Sequence, residues 1–406
     1  MDEGLLGQAL HDAWWPALAA AFRVTGDLQF AEDAVQEACA GAVRQWHTAM
    51  PADPVAWLAT TARRRAIDQV RREAVRPAKE SAAARRAQEP SFAQDPAGVD
   101  PQEQLAMMFL CAHPAFDVAT RTALTLRAVG GLGTHEIAAV LLLPEQTVAK
   151  RLVRARRKIR ESGMRFAAPH VDALAARLDD VLATLTLLHT EGHRSSTGPG
   201  LLRPQLSDRA VAIARTLARL LPAEPEVLAQ LALLLLTDAR RDARVDDDGC
   251  VVLLAEQDRS RYDSAKMAEG ERLLERALRL GRPGRWQFQA AIAACHTTAS
   301  SAADTDWREI SALYGELLRY DQNPVHEANR AIAVAEAEGP AAGLTIIDAV
   351  LHHPQLARWP TLHVARADLL RRLGRIPDAR RAYQRALELE PGPAERRFID
   401  HHLAHT

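Results

Sequence analysis

The chain has 406 residues, enough for two or three domains of ordinary size. Its 51 Lys and Arg against 52 Asp and Glu leave a formal net charge of -1, which excludes a uniformly basic nucleic-acid coat. Leu, Ala and Arg dominate while β-branched runs are scarce, so an all-α fold is predicted. The charge is segregated: acidic near the start, basic at Arg63–Arg76 and basic again at Lys150–Arg160. Cys39, Cys111, Cys250 and Cys295 lie far apart with no CxxC pair and read as buried thiols in a reducing cytoplasm. No N-terminal signal segment is read, and no apolar run approaches the roughly 20 residues of a membrane span. A cytoplasmic protein without a membrane partner is expected.

Residues 5–76 are predicted to be a small helical domain. Trp14, Trp15, Leu18 and Phe22 start one apolar face, which Gly26-Asp27 interrupts. Phe30, Ala34 and Ala38 continue on a second helix, where Asp27, Glu32, Asp33 and Glu37 are expected on an exposed acidic side, and Trp46 anchors its end. After Pro51 and Pro54 comes a third helix, AWLATTARRRAIDQVRR, with Ala66, Ile67 and Val70 expected toward the core. Asp68 stands four residues from both Arg64 and Arg72, the spacing of a charge ladder.

Residues 77–101, with Pro77, Pro90, Pro96 and Pro101, read as a linker. Residues 102–163 resume the helical pattern and end in THEIAAVLLLPEQTVAKRLVRARRKIR. Thr134 is placed to cap a short helix with Ile137, Ala138 and Leu141 inside, and Pro144 interrupts it. Val148, Leu152, Ala155 and Ile159 then recur on one face of a second helix whose remaining surface carries Lys150, Arg151, Arg154, Arg157 and Lys158. No acidic residue lies between Glu145 and Glu161 to answer that charge, as an ordinary solvated helix would provide. The pattern is a helix-turn-helix with a groove-sized, phosphate-seeking second helix.

Residues 170–406 read as a large helical domain. Ala367, Gly374, Ala379, Tyr383, Ala386 and Pro391 fall at the small, turn, small, aromatic, small and proline positions of a 34-residue helical repeat. Ala328–Leu351 has a degenerate version of that outline, with Gly339 at the turn. HTEGH at His189–His193 is not HExxH, and Asp246–Asp248 lack the alternation of a calcium loop. The polar run Glu256–Asp263 reads as a structural network or a contact surface. With no phosphate loop and no assignable nucleophile or metal set, neither enzyme chemistry nor a cofactor is expected.

Taken together, residues 5–163 resemble bacterial RNA polymerase sigma factors of the extracytoplasmic-function type. GDLQFAEDAVQEAC is similar to their core-polymerase-binding region, PVAWLATTARRRAIDQVRR to their -10 element helix, and LTLRAVGGLGTHEIAAVLLLPEQTVAKRLVRARRKIR to their -35 element helix-turn-helix. The resemblance implies a factor that binds core RNA polymerase and directs initiation at promoter DNA. Asp33, Gln36 and Glu37 would then face polymerase. Trp57, Arg63, Arg64, Arg65, Arg71 and Arg72, with Asp68 among them, would serve the -10 element, and Gln146, Thr147, Lys150, Arg151, Arg154 and Arg157 the -35 element. Where the family commonly carries an Asn, this chain has Arg64, gaining charge and losing a bidentate amide. The remainder resembles the helical extension of a sigma subgroup that ends in tetratricopeptide-like repeats, with Thr190-Glu191-Gly192-His193 where relatives tend to have Asn-Glu-Gly-Tyr. That extension would regulate the factor, through contact with its own first domains or with a regulatory protein. The competing reading is a polymerase-independent helix-turn-helix regulator with a helical sensor domain.

Overall fold

A computed structural model describes residues 3–46, 49–74, 101–141, 143–162, 171–195, 202–246, 252–354 and 356–405. The linker read at 77–101 lies outside them except for its last residue. The described chain is helical and contains no sheet. It divides into two compact units, Met1–Leu185 and Thr186–Thr406.

In the first unit α1 (Glu3–Thr25), α2 (Leu28–Trp46) and α3 (Pro54–Ala74) pack against one another. Trp15, Leu18, Phe22, Ala34, Ala38 and Trp46 are buried between them. Gly26 turns the chain between α1 and α2 at φ 61°, and Asp27 caps α2 by accepting the Gln29 N–H at 2.8 Å. On α3 the core face is Leu58, Ala62 and Ala66; Val70, expected inside, is 41% exposed. The Arg64–Asp68–Arg72 ladder does not form. Arg72 donates instead to the Asp68 carbonyl, so the helix backbone takes the place of the carboxylate.

Helices α4 (Pro101–Cys111), α5 (Val118–Ala128), α6 (Thr134–Leu141) and α7 (Glu145–Ser162) complete this unit, with the first half of α8 (Val171–His193). Thr134 is not the cap of α6. Gly133 holds that position, its carbonyl accepting the Ile137 N–H at 3.0 Å while Glu136 reaches back to its N–H. Of the cysteines expected inside, Cys111 is buried while Cys39 and Cys295 are only partly so, and burial pushes the Cys111 thiol up to about 12, with the Glu32 charge adding to it.

The second unit continues with α9 (Pro204–Leu220), α10 (Pro225–Asp238), α11 (Ser264–Arg279), α12 (Arg285–Thr298) and α13 (Trp307–Tyr320). Then come α14 (Pro324–Glu338), α15 (Pro340–Val350), α16 (Pro360–Arg372), α17 (Ile376–Glu388) and α18 (Pro393–His405). Prolines open many of these helices because the first turn needs no N–H partner for them. The apolar run Leu231–Leu236 lies in the buried α10, and Gly270 lets α11 approach it, since a Cβ there would meet Leu236 Cγ at 2.7 Å. Helices α16 and α17 form the repeat read from the sequence. Gly374 turns between them at φ 72°, and Ala367, Ala379, Tyr383 and Ala386 are buried at their contact. The same core includes Ala331, Leu344 and Ile347 of α14 and α15, so a repeat that cannot bury its own face is covered by its neighbour.

Candidate nucleic-acid interface

Helix α7 is positioned by the four side chains its periodicity marks: Val148, Leu152, Ala155 and Ile159 are all buried. That anchorage turns the cations outward in two opposite directions. On one side Lys150 and Arg154 are exposed and make no ion pair among the described residues. Beside them Arg151 Nη1 lies 2.7 Å from Asp117 Oδ1, and Lys158 donates to the Ala115 carbonyl at 2.7 Å, over the Phe116 ring. These residues with Thr120 and Thr147 line a shallow groove of about 450 Å³. Gln146 is exposed at its rim end of the helix, and Arg157 stands 3.9 Å from Glu161. Against the upward pull of its partial burial, the Thr120 N–H and hydroxyl and then Arg151 hold the Asp117 carboxyl below its ordinary value. Asp117 thereby caps α5 and holds Arg151 in one place.

The other side of α7 faces α2. Arg156 donates to both oxygens of Glu32 at 3.0 and 2.8 Å and to Gln29 at 3.1 Å. Arg127 of α5 reaches the same Glu32 at 3.2 Å, and Arg160 reaches Asp27 at 3.2 Å. Asp27 and Glu32 were expected on an exposed acidic side; they are 5% and 2% exposed because these three arginines cover them. Nothing in a linear pattern could announce this, since the partners lie 95 to 133 residues apart.

The other predicted residues occupy separate surfaces of this unit. On α2, Gln36 and Glu37 are exposed and Asp33 is half-buried, accepting from Gln29 at 3.0 Å. Glu37 pairs with Arg65 of α3 at 2.7 Å. Along α3, Arg64, Arg71 and Arg72 are exposed, Arg63 is half-buried, and Trp57 packs edge-on against Trp46 at 5.4 Å. Among the described residues one ion pair thus joins the residues expected to face polymerase to those expected at the -10 element, while those expected at the -35 element form their own row on α7. Sequence reasoning missed Arg127, Arg156 and Arg160 as a bridge and Asp117 as the holder of Arg151. A lone acidic cap six residues beyond α4 carried the local hint of the second.

Comparison with known proteins agrees with this layout. Residues 16–76 match the model of Sigma-70 region 2 and residues 107–159 that of Sigma-70, region 4. Residues 177–278 match a family of unknown function (DUF6596), and residues 360–393 match the tetratricopeptide repeat. Over 409 residues the chain is 37% identical to the uncharacterized protein R00370 of Rhizobium meliloti (strain 1021), covering 100% of this chain and 96% of that one. No helix among the described residues is long and apolar enough to cross a membrane.

Proposed function

We infer the working of this chain from one premise: it belongs to the sigma-70 family of RNA polymerase sigma factors, of the extracytoplasmic-function type with a helical extension ending in a tetratricopeptide repeat. As such it is an RNA-polymerase-binding, promoter-recognising factor in transcription initiation. A polymerase-independent regulator would have no use for a region 2.

In the reading proposed here Asp33, Gln36 and Glu37 dock the chain on core polymerase. Trp57, Arg63, Arg64, Arg65, Arg71 and Arg72 engage the -10 element, with cations on phosphates and aromatic surface against unstacked bases. Gln146, Thr147, Lys150, Arg151, Arg154 and Arg157 meet the -35 element in the major groove. The observation that carries this assignment is the unanswered charge of Lys150 and Arg154 beside a buried apolar row. Because the two promoter elements are separate stretches of duplex, the Glu32 bridge to Arg156 belongs to the free factor and parts when polymerase holds α3 and α7 at their own sites. The place of action is the bacterial cytoplasm, where polymerase and promoters are.

The helical extension regulates or stabilises the factor in cis. The test is in vitro transcription with bacterial core polymerase, comparing the full chain with Lys150→Ala/Arg154→Ala and with a chain ending after His193. No specific transcript from the full chain would overturn the reading of the sites, and equal output and polymerase affinity from the shortened chain would overturn the role of the extension.

A further inference from the structure

The second unit contains a group of cations that the promoter-binding surfaces do not use. Arg240 follows the end of α10, Arg244 follows a short 3-10 turn at Arg241–Ala243, and Arg259 opens another at Arg259–Arg261. His193 at the end of α8 and His296 near the end of α12 join them, as does the buried Tyr262. The three arginines are half-buried.

Their hydrogen bonds go to neutral groups. Arg240 donates to Gln257 Oε1 at 3.2 Å, and that oxygen also accepts the Tyr262 hydroxyl at 3.1 Å. Arg259 Nη1 donates to the carbonyls of His296 and Ala299 at 2.9 and 2.8 Å, and its guanidinium lies 5.7 Å from the Tyr262 ring centre. The Arg244 side chain has no hydrogen-bond acceptor among the described residues. Arg244 Nε, Arg259 Nη2, His193 Nδ1 and His296 Nδ1 are buried without a partner. Among the described residues, Asp238 is engaged by Arg241 and Lys266, Glu191 by Arg203, and the exposed Asp304 by Ser300 and Ser301.

Such an arrangement is costly as it stands. A desolvated cation is normally answered by a carboxylate or another anion, and several cations without one repel each other. Burial first, and then the charges of Arg240 and Arg194, bring Arg244 down to about 10. Burial and the same field of Arg240 and Arg259 bring His296 down to about 4. Perturbed groups gathered in one place make that place a candidate for binding.

We propose that Arg240, Arg244 and Arg259, with Tyr262, His193 and His296 around them, form a binding site for a small phosphate-type dianion, either inorganic phosphate or a phosphomonoester. Guanidinium forks match phosphate oxygens in geometry as well as charge. A monoanionic carboxylate would leave two of the three positive charges unanswered; a dianion leaves one. The site would make the extension responsive to a phosphorylated or phosphate metabolite, and it stands or falls independently of the promoter assignments.

The test uses the full chain. Isothermal calorimetry and thermal melting are run with inorganic phosphate, glycerol phosphate and acetate, each against chloride at matched ionic strength. The expected result is one phosphate bound per chain and a rise in Tm that acetate does not reproduce. A response to glycerol phosphate and not to inorganic phosphate would assign the monoester as the source, and the converse the free ion. Arg244→Met should lose the Tm rise and bind about tenfold to a hundredfold more weakly, the effect of one charge-assisted donor. In chloride alone it should melt at or above the parent temperature, because it removes an unanswered cation. Lys150→Ala/Arg154→Ala should keep the phosphate response, separating this site from the DNA-facing helix. Equal phosphate and chloride responses in the parent chain would overturn the proposal, as would an Arg244→Met chain that melts lower in chloride yet binds phosphate unchanged. Should Arg244→Met fail to fold, the stoichiometry of the parent chain and of Arg259→Lys, expected to bind more weakly, decides the question.

Discussion

The two units treat desolvated arginines in opposite ways. In the first, Arg127 and Arg156 converge on one carboxylate, Glu32, so that both cations have a counter-charge. In the second, Arg240, Arg244 and Arg259 gather with no carboxylate among the described residues bonded to any of them. A pair closed within the protein holds helices together, whereas an open cluster stores an unmet demand for charge. The first arrangement therefore reads as structure and the second as a place for something to bind.

The largest effect that would break this contrast is at Glu32. Glu32→Ala leaves two guanidinium groups without their carboxylate and should cost about 3–5 kcal/mol of stability. Urea denaturation followed by tryptophan fluorescence measures it, and a loss below about 1 kcal/mol would mean that the bridge is not structural. Acid should then separate the units. His189 and His296 are held down to about 4, in both cases chiefly by burial. Their folded pKa lies below the ordinary imidazole value of about 6.5, so the unfolded chain takes up protons first as pH falls. Stability from these groups is complete above about 6.5 and is lost on the way to about 4. Hydrogen exchange at pH 7 and pH 5 should show the second unit loosening around α8, α10 and α12. In the first unit Asp117, its carboxyl held below the ordinary value, loses its contribution only in stronger acid. Loosening of α5 and α7 ahead of α10 at pH 5 would contradict this ordering.

Smaller effects sharpen the comparison on the first unit itself. Arg154→Ala should leave stability within about 0.5 kcal/mol while weakening promoter binding by the holoenzyme. If Arg154 meets a phosphate, the salt dependence should flatten by about one unit; if it meets a base, preference should change by about 1–3 kcal/mol at one position. Filter binding across a salt series with single-base promoter variants separates the two. Arg65→Ala should change stability least, by about 0–1 kcal/mol, because its partner Glu37 is well exposed and water screens the pair. A larger loss in a thermal melt would show that α2 and α3 depend on that pair.

Most of the local architecture was legible beforehand. Val148, Leu152, Ala155 and Ile159 declare the buried side of α7 because helical spacing acts over a few residues. Gly374, Ala379 and Tyr383 likewise declare the terminal repeat, since small residues and a turn glycine are local necessities of two close helices. The reading failed where an acidic side chain had to be placed inside or outside. Asp27 and Glu32 sit on the polar side of α2 by every local rule, and Asp68 sits at ladder spacing.

From its amino acids alone the chain determines that it is helical, where the helices begin and which row of α7 is buried. Proline, glycine and apolar period act through the backbone of a few neighbouring residues, and those forces do not wait for the fold. Tertiary structure decided which charges are closed on partners and which are left open. Arg156 and Arg244 are the same residue type, yet one meets Glu32 and the other meets no carboxylate among the described residues. The strength of a charge–charge contact depends on distance and on the water left between, and both are set only when segments more than a hundred residues apart come to lie together.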